Sequence, residues 1–148
     1  MLMTNRVLLY VEDEDSAVFL FETALKEANI KVDFYRVSDG DQALSFLQHL
    51  GAYEKAPRPS LVLLDLNLPR KSGLEVLAEM QGSEALRPIP VIVFTSSSLL
   101  TDRERSLALG AQHYITKPST FDGFIDAVRT ACSYLPERVN GPNIEDSR

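Results

Sequence analysis

The chain is poor in the residues that would staple it, anchor it or fix its charge on one sign. It has a single cysteine, Cys132, so no intrachain disulfide can form and no cysteine pair exists for a zinc site. Cys132 falls on an apolar helical face and reads as a small buried hydrophobe. Long hydrophobic runs are missing. The first apolar run, Val7 to Val11, is far too short for a signal-peptide core or a transmembrane helix, and a cytoplasmic protein away from the membrane is expected. No run of lysine or arginine occurs, and the net charge is −6. That balance disfavours non-specific attachment to nucleic acid or to an anionic surface. No G-x-G-x-x-G or P-loop pattern is found, so no glycine-rich phosphate cradle is available.

What remains is ordinary for a globular protein. The 148 residues are 45% hydrophobic and 24% charged, enough for one domain with its own core. Apolar runs alternate with amphipathic stretches. Val7-Leu8-Leu9-Tyr10-Val11 is a strand that ends in Glu12-Asp13-Glu14-Asp15. Ala17, Phe21, Ala24, Leu25 and Ala28 follow at helical spacing. Val32 to Val37 predicts a second strand, and Ala43, Leu44, Phe46 and Leu47 a second helix. Gly51 to Pro59, with a glycine and two prolines, reads as a loop. Leu61 to Leu64 is a third strand, stopping at Asp65, and Leu74, Leu77 and Met80 mark the helix after it. Val91 to Phe94 is a fourth strand ending at Thr95. Leu100 to Leu109 predicts a weakly amphipathic helix with Asp102, Arg103, Glu104 and Arg105 in its middle. His113 to Thr116 gives a fifth strand, ending at Lys117-Pro118. Phe121, Phe124, Ile125, Val128 and Cys132 share one face of the last helix, which Pro136 ends. The tail from Glu137 to Arg148 is polar and is expected to be mobile.

Five such βα units predict an α/β fold with a parallel sheet covered on both faces. Continuous rather than alternating apolar strands fit that burial. In open α/β sheets, ligands sit at the carboxyl ends of the strands. The residues at those ends are Glu12 and Asp13 after the first strand, Asp65 after the third, Thr95 after the fourth and Lys117 after the fifth. Any one of them could be a solvated loop residue, and Asp15 or Thr120 could be helix caps. Together they place three carboxylates, a hydroxyl and an ammonium group on one edge. Like charges about 4 Å apart repel by roughly 4 kcal/mol at an effective dielectric of 20, so the cluster calls for a cation. Mg²⁺ suits oxygen donors of this kind, usually with waters and a phosphate completing its shell. A carboxylate can also act as a nucleophile and form an aspartyl-phosphate, with Lys117 and Thr95 aimed at the phosphoryl oxygens.

These residues resemble the receiver domain of bacterial two-component response regulators. The resemblance spans Arg6 to Leu135 and is carried by Val11-Glu12-Asp13, by Asp65-Leu66-Asn67-Leu68-Pro69 with Gly73, by Thr95-Ser96 and by Lys117-Pro118. It implies a doubly wound (βα)5 flavodoxin-like sandwich, a five-stranded parallel sheet in the order 2-1-3-4-5. It also implies that Asp65 takes the phosphoryl group from a histidine kinase or a histidine phosphotransfer protein in a Mg²⁺-dependent reaction, the domain catalysing its own transfer and dephosphorylation. Asp13 would bind the metal directly, Glu12 through a bound water, and Asn67 through its main-chain carbonyl. Thr95 and Lys117 would contact the phosphoryl oxygens, and Lys117-Pro118 would be a cis peptide bond, accessible because its second residue is proline. Tyr114 matches the switch aromatic that turns inward as Thr95 moves.

The pattern is departed from at Glu12, where Asp is commoner, and at Ser96, where Ala is usual. Asn67 and Ser97 occupy variable positions that tune dephosphorylation, so the lifetime of the phosphorylated form is open. The Gly51 to Pro59 loop and the Asp65 to Pro69 segment are similar to the single-domain regulators that serve phytochrome-type histidine kinases. Residues 6–135 would form the receiver domain. The 136–148 tail is too short to fold alone and unlike a DNA-binding arm, so no output domain is expected. The signal would then leave through the face of the fourth helix, fifth strand and fifth helix, which in the family binds partners or forms a homodimer.

Three other readings compete. A haloacid-dehalogenase-type phosphatase needs a second aspartate two residues after the nucleophile, where Asn67 stands, and a cap domain the chain has no room for. A flavodoxin-like carrier would face the acidic Glu12 to Asp15 loop in place of a phosphate cradle. An unphosphorylated docking module normally follows loss of an acidic residue or the lysine, and all are present. His49 and His113 neighbour no recognisable catalytic partner and are not assigned a role.

Overall fold

The computed structural model describes residues 6–137; the polar tail expected beyond Pro136 lies outside the described residues from 138 onward. The elements follow the order read from the sequence. They are β1 (Val7–Val11), α1 (Asp15–Glu27), β2 (Asp33–Val37), α2 (Gly40–Gln48), β3 (Leu61–Leu64), α3 (Gly73–Gln81), β4 (Val91–Thr95), α4 (Leu100–Ala108), β5 (His113–Thr116) and α5 (Phe121–Cys132). The loop after α2 contains one 3₁₀ turn, Gly51–Tyr53.

The strands form one parallel sheet in the order β2-β1-β3-β4-β5. β1, β3 and β4 are buried along their whole lengths, as continuous apolar runs require of strands covered on both faces. β2 lies at one edge and alternates between exposed and covered residues. One core lies between the sheet and helices α1 and α5, built on Leu8, Tyr10, Phe21, Phe94, Phe124 and Val128. The other lies under α2 and α3 and includes Leu9, Phe46, Leu64, Val76, Leu77 and Tyr114.

The helix ends have identifiable causes. Asp39 accepts from the Gln42 amide at the start of α2, and Ser72 with Glu75 closes a capping box on α3. Thr120 caps α5 by accepting from Gly123, as the sequence allowed. Asp15 is no cap; it begins α1 and pairs with Arg36.

Two helix faces differ from the sequence pattern. On α1 the buried residue of the first turn is Val18, with Ala17 only partly covered. On α5, Phe121 is 39% exposed, because it opens the helix before the face meets the sheet; Ala127 and Ala131 complete the buried stripe instead. The weak amphipathicity of α4 is real: among its residues only Ser106 is buried.

Candidate functional site

The loops after β1, β3, β4 and β5 converge on an open pocket of about 560 Å³ at the carboxyl edge of the sheet. Asp13, Asp65, Asn67, Ser96, Lys117 and Pro118 line it, with Ala17 and Leu20 of α1 on one side. The register explains the convergence. β1 and β3 pair Val11 with Leu64, so Glu12 and Asp65 leave the sheet side by side, and β4 and β5 pair Thr95 with Thr116, which sets Lys117 one residue beyond.

Carboxylate oxygens of Glu12, Asp13 and Asp65 all lie within 4.8 Å of one another. Glu12 is fully buried and Asp65 is 5% exposed, whereas Asp13 is exposed. Lys117 Nζ donates to Glu12 Oε1 at 2.6 Å and to Asp65 Oδ2 at 3.1 Å. The Thr95 hydroxyl donates to Asp65 Oδ1 at 2.8 Å, and the Asn67 amide donates to the same oxygen at 3.1 Å. Every site residue named from the sequence in the acidic pocket is thus brought together.

The electrostatics are those of a crowded acidic pocket held by one lysine. Burial pushes the Glu12 carboxyl above the usual carboxylate range; the hydrogen bond from Lys117 opposes this, and the Asp65 charge adds to it. For Lys117, burial acts to lower its proton affinity, but the bond to Glu12 and the charges of Asp65 and Glu12 outweigh it, so the ammonium form is held above its ordinary range. Three carboxylates against one ammonium leave negative charge in excess. The donor set, all oxygen, with an exposed Asp13 beside a pocket open to water, fits a hard divalent cation held by Asp13 and Asp65.

Tyr114 is buried, and its hydroxyl donates to the Ser97 carbonyl at 2.8 Å. Both Thr95 and Tyr114 therefore take inward positions here. The Lys117–Pro118 bond corrects the expectation of a cis peptide, since no cis bond occurs among the described residues. Trans and cis forms of an X–Pro bond lie within about 1 kcal/mol, so proline permits cis without dictating it. Lys117 reaches both carboxylates from the trans chain.

Several contributors were not identified from the sequence. Arg36, on edge strand β2, donates through Nε to the Glu12 carbonyl at 2.7 Å and pairs with Asp15 at 2.9 Å. Tyr10 donates from inside β1 to Glu12 Oε1 at 3.3 Å. Ser97 donates to the Asp102 carboxylate, and Arg103 donates to the Tyr114 carbonyl. Tyr10 could have been noticed, as a hydroxyl two residues before Glu12 on the same side of a strand; the others depend on pairings that only the fold creates.

Among known proteins, residues 8–129 match the family described as the response regulator receiver domain. The response regulator Rcp1 of Synechocystis sp. is 39% identical over 137 residues, covering 93% of each chain. The crystal structure of the Mn²⁺-bound form of Rcp1 superposes with a TM-score of 0.81 at 38% identity, covering 89% of this chain and 99% of that one. The phosphorylated cyanobacterial phytochrome response regulator RcpA superposes with a TM-score of 0.83 at 34% identity, covering 90% and 100%. With its strand order, its ordered acidic pocket and a family match over most of its length, this chain belongs to the response regulator receiver domain family.

Proposed function

We propose that Asp65 is the phosphoacceptor and that the chain relays a signal from a histidine kinase or a histidine phosphotransfer protein. The observation that carries this is the placement of the Asp65 carboxylate, with Lys117 Nζ on one oxygen and Thr95 Oγ1 on the other, at the base of an open acidic pocket. An Asp65 carboxylate oxygen attacks the phosphorus of a phosphohistidine. A new O–P bond forms, the P–N bond breaks, and the imidazole leaves with the bonding pair. Lys117 stays charged and neutralises phosphoryl oxygens, while Thr95 turns its hydroxyl from Asp65 to one of them. Hydrolysis by water, catalysed by the same pocket, returns the carboxylate.

Mg²⁺, held by Asp13 and Asp65 with the Asn67 carbonyl and with Glu12 through water, would supply further positive charge for the phosphoryl oxygens. The Mn²⁺-bound form of Rcp1 supports a divalent ion of this kind. The likeness to RcpA and to the bacteriophytochrome response regulators RtBRR and AtBRR supports a phytochrome-type kinase as the partner. Thr95, Ser97 and Tyr114 connect the pocket to α4, so phosphorylation would re-bias the α4-β5-α5 face, from which a protein partner or a second copy reads the state. Its site of action would be the cytoplasm, where a histidine kinase presents its phosphoryl group; no described helix is long and apolar enough to cross a membrane.

The test is incubation with acetyl phosphate and Mg²⁺, read by intact mass beside Asp65→Asn and a metal-free control. One phosphoryl group gained, only with metal and only with Asp65 present, is the expected result. A folded, Mg²⁺-binding protein that gains nothing would leave a docking module as the better reading.

A further inference from the structure

Tyr10 lies in the middle of the buried face of β1 and has no solvent exposure. Its ring sits 4.8 Å from the Phe21 ring and 6.3 Å from those of Phe34 and Phe94. Phenylalanine would fill that aromatic cluster equally well, and a buried hydroxyl is costly unless it is bonded. The bond it makes is to Glu12 Oε1, at 3.3 Å. That oxygen also accepts from Lys117 Nζ at 2.6 Å, and Glu12 Oε2 accepts from the Glu14 amide at 3.2 Å.

We infer that Tyr10 is a positioning residue: its hydroxyl, fixed by the aromatic cluster, holds the Glu12 carboxylate where it can grip Lys117, and so sets the geometry of the acidic pocket from beneath. The need follows from Glu12 itself. Compared with aspartate it has one more carbon, about 1.5 Å of added reach, and one more rotatable bond. Left to itself, the longer side chain could leave the position beside Asp13 and Asp65 from which it accepts from Lys117. Three donors from three directions prevent this: Tyr10 from within the core, the Glu14 amide from the loop after β1 and Lys117 from the loop after β5. Tyr10 is the one of the three fixed by packing on every side, so it sets the reference position, and Lys117 is placed by way of Glu12. Aspartate at residue 12 would be too short for the same bond, which makes the tyrosine a companion of the glutamate.

The metal-affinity part of the test rests on the function proposed above; the metal-free part does not. Tyr10→Phe removes one buried oxygen and keeps the ring, and the thermal midpoint confirms that each variant is folded. In the metal-free protein, the Glu14 amide resonance should move in Tyr10→Phe, because its acceptor is released. Mg²⁺ affinity, followed by amide shifts, should weaken by about threefold to tenfold, the size of one ordinary intramolecular hydrogen bond. In the Glu12→Asp background the same substitution should change both readouts little, a coupling that a purely structural role would not produce. An unmoved Glu14 amide in Tyr10→Phe, or equal effects of Tyr10→Phe in the two backgrounds, would overturn the inference. Failure to take up a phosphoryl group would count against the proposed function while leaving the metal-free result standing.

Discussion

The Tyr114 hydroxyl donates to the Ser97 carbonyl across 2.8 Å, tying β5 to the loop between β4 and α4. The same loop is fastened onward, since Ser97 donates to Asp102 of α4 and its amide faces Thr95 Oγ1 at 3.4 Å. Arg103 of α4 returns to the Tyr114 carbonyl and stands over its ring. Asp65, Thr95, Ser97, Tyr114 and α4 are therefore linked by direct contacts. Because α4 buries only Ser106, it is held by these polar ties more than by packing.

Tyr114→Phe tests the tie. It should cost about 1 kcal/mol of stability, as one intramolecular hydrogen bond does. Amide hydrogen exchange should quicken from Ser97 to Arg103 while β1 and β3 stay protected. Exchange unchanged over that segment would show that the bond does not restrain α4.

Lys117 is the cation that makes a fully buried Glu12 tolerable. In Lys117→Met without metal, the carboxylate is left with no charge partner, a loss on the order of 3 kcal/mol at pH 8. The sign of the pH dependence follows from Glu12. Its carboxyl is already raised in the folded protein, and removing Lys117 raises it further, so the folded variant binds a proton the unfolded chain releases. The deficit relative to wild type should shrink as the pH falls toward the ordinary glutamate range. Denaturant titrations between pH 5 and 8, at values chosen from the ordinary range of about 4.3 upward, decide it. A deficit that does not vary with pH would place the loss in packing instead.

Gly73 shows how closely α3 is set against the chain as it leaves β3. A Cβ there would stand 2.3 Å from the Asp65 carbonyl oxygen and 2.7 Å from the Leu66 Cα. Both are backbone atoms and cannot step aside. Gly73→Ala should destabilise by about 2 kcal/mol or more and weaken Mg²⁺ binding, because the clash falls on the residues that carry the pocket. At Gly82 the nearest atoms to such a Cβ are at 3.6 Å and 3.7 Å, so Gly82→Ala should stay within about 0.5 kcal/mol of wild type. Similar losses in the two variants would refute the crowding argument.

The sheet was legible because its central strands are continuous apolar runs, and β1, β3 and β5 begin and end where the pattern does. The pocket was legible for a related reason: in a parallel sheet the residues at the carboxyl ends of the strands land on one edge, so Glu12, Asp65, Thr95 and Lys117 could be grouped before any fold was known. The supporting contacts were not. Arg36 reaches Glu12 across a strand pairing, Tyr10 looks like any aromatic strand residue, and the Ser97–Asp102 bond depends on how the loop meets α4. On the helices, the choice of Val18 over Ala17 turns on a rotation of one residue about the helix axis, and the exposure of Phe121 on where α5 first meets the sheet, both of which a periodic pattern leaves loose. Whether a lysine–proline bond is trans or cis rests on about 1 kcal/mol and has no local signature.

The alkaline side of the stability curve draws on three interior groups with the same sign, beside the exposed Lys71, which Glu79 also holds above its ordinary range. Burial pushes the Cys132 thiol from 9.0 up to about 11, against a small opposing effect of Arg6. Burial, then the neighbouring Glu12 and Asp65 charges, also raises the Tyr10 hydroxyl above its ordinary 10.0. Lys117 is held above its ordinary 10.5 by Glu12 and Asp65, which outweigh the effect of its burial. In each case the folded protein keeps a proton that the unfolded chain gives up. Stability is therefore full below these ordinary values and is lost as the pH rises through the raised ones. Thermal or denaturant unfolding in EDTA should show a decline that begins near pH 9, where the unfolded thiol first ionises, and steepens as tyrosine and lysine follow. The thiol's part, two pH units, is on the order of 3 kcal/mol at full extent. Cys132→Ala removes that part alone, so its curve should hold level to higher pH and then fall with the remaining groups. An onset unmoved by the substitution would mean that Cys132 ionises in the folded protein as readily as in the unfolded chain.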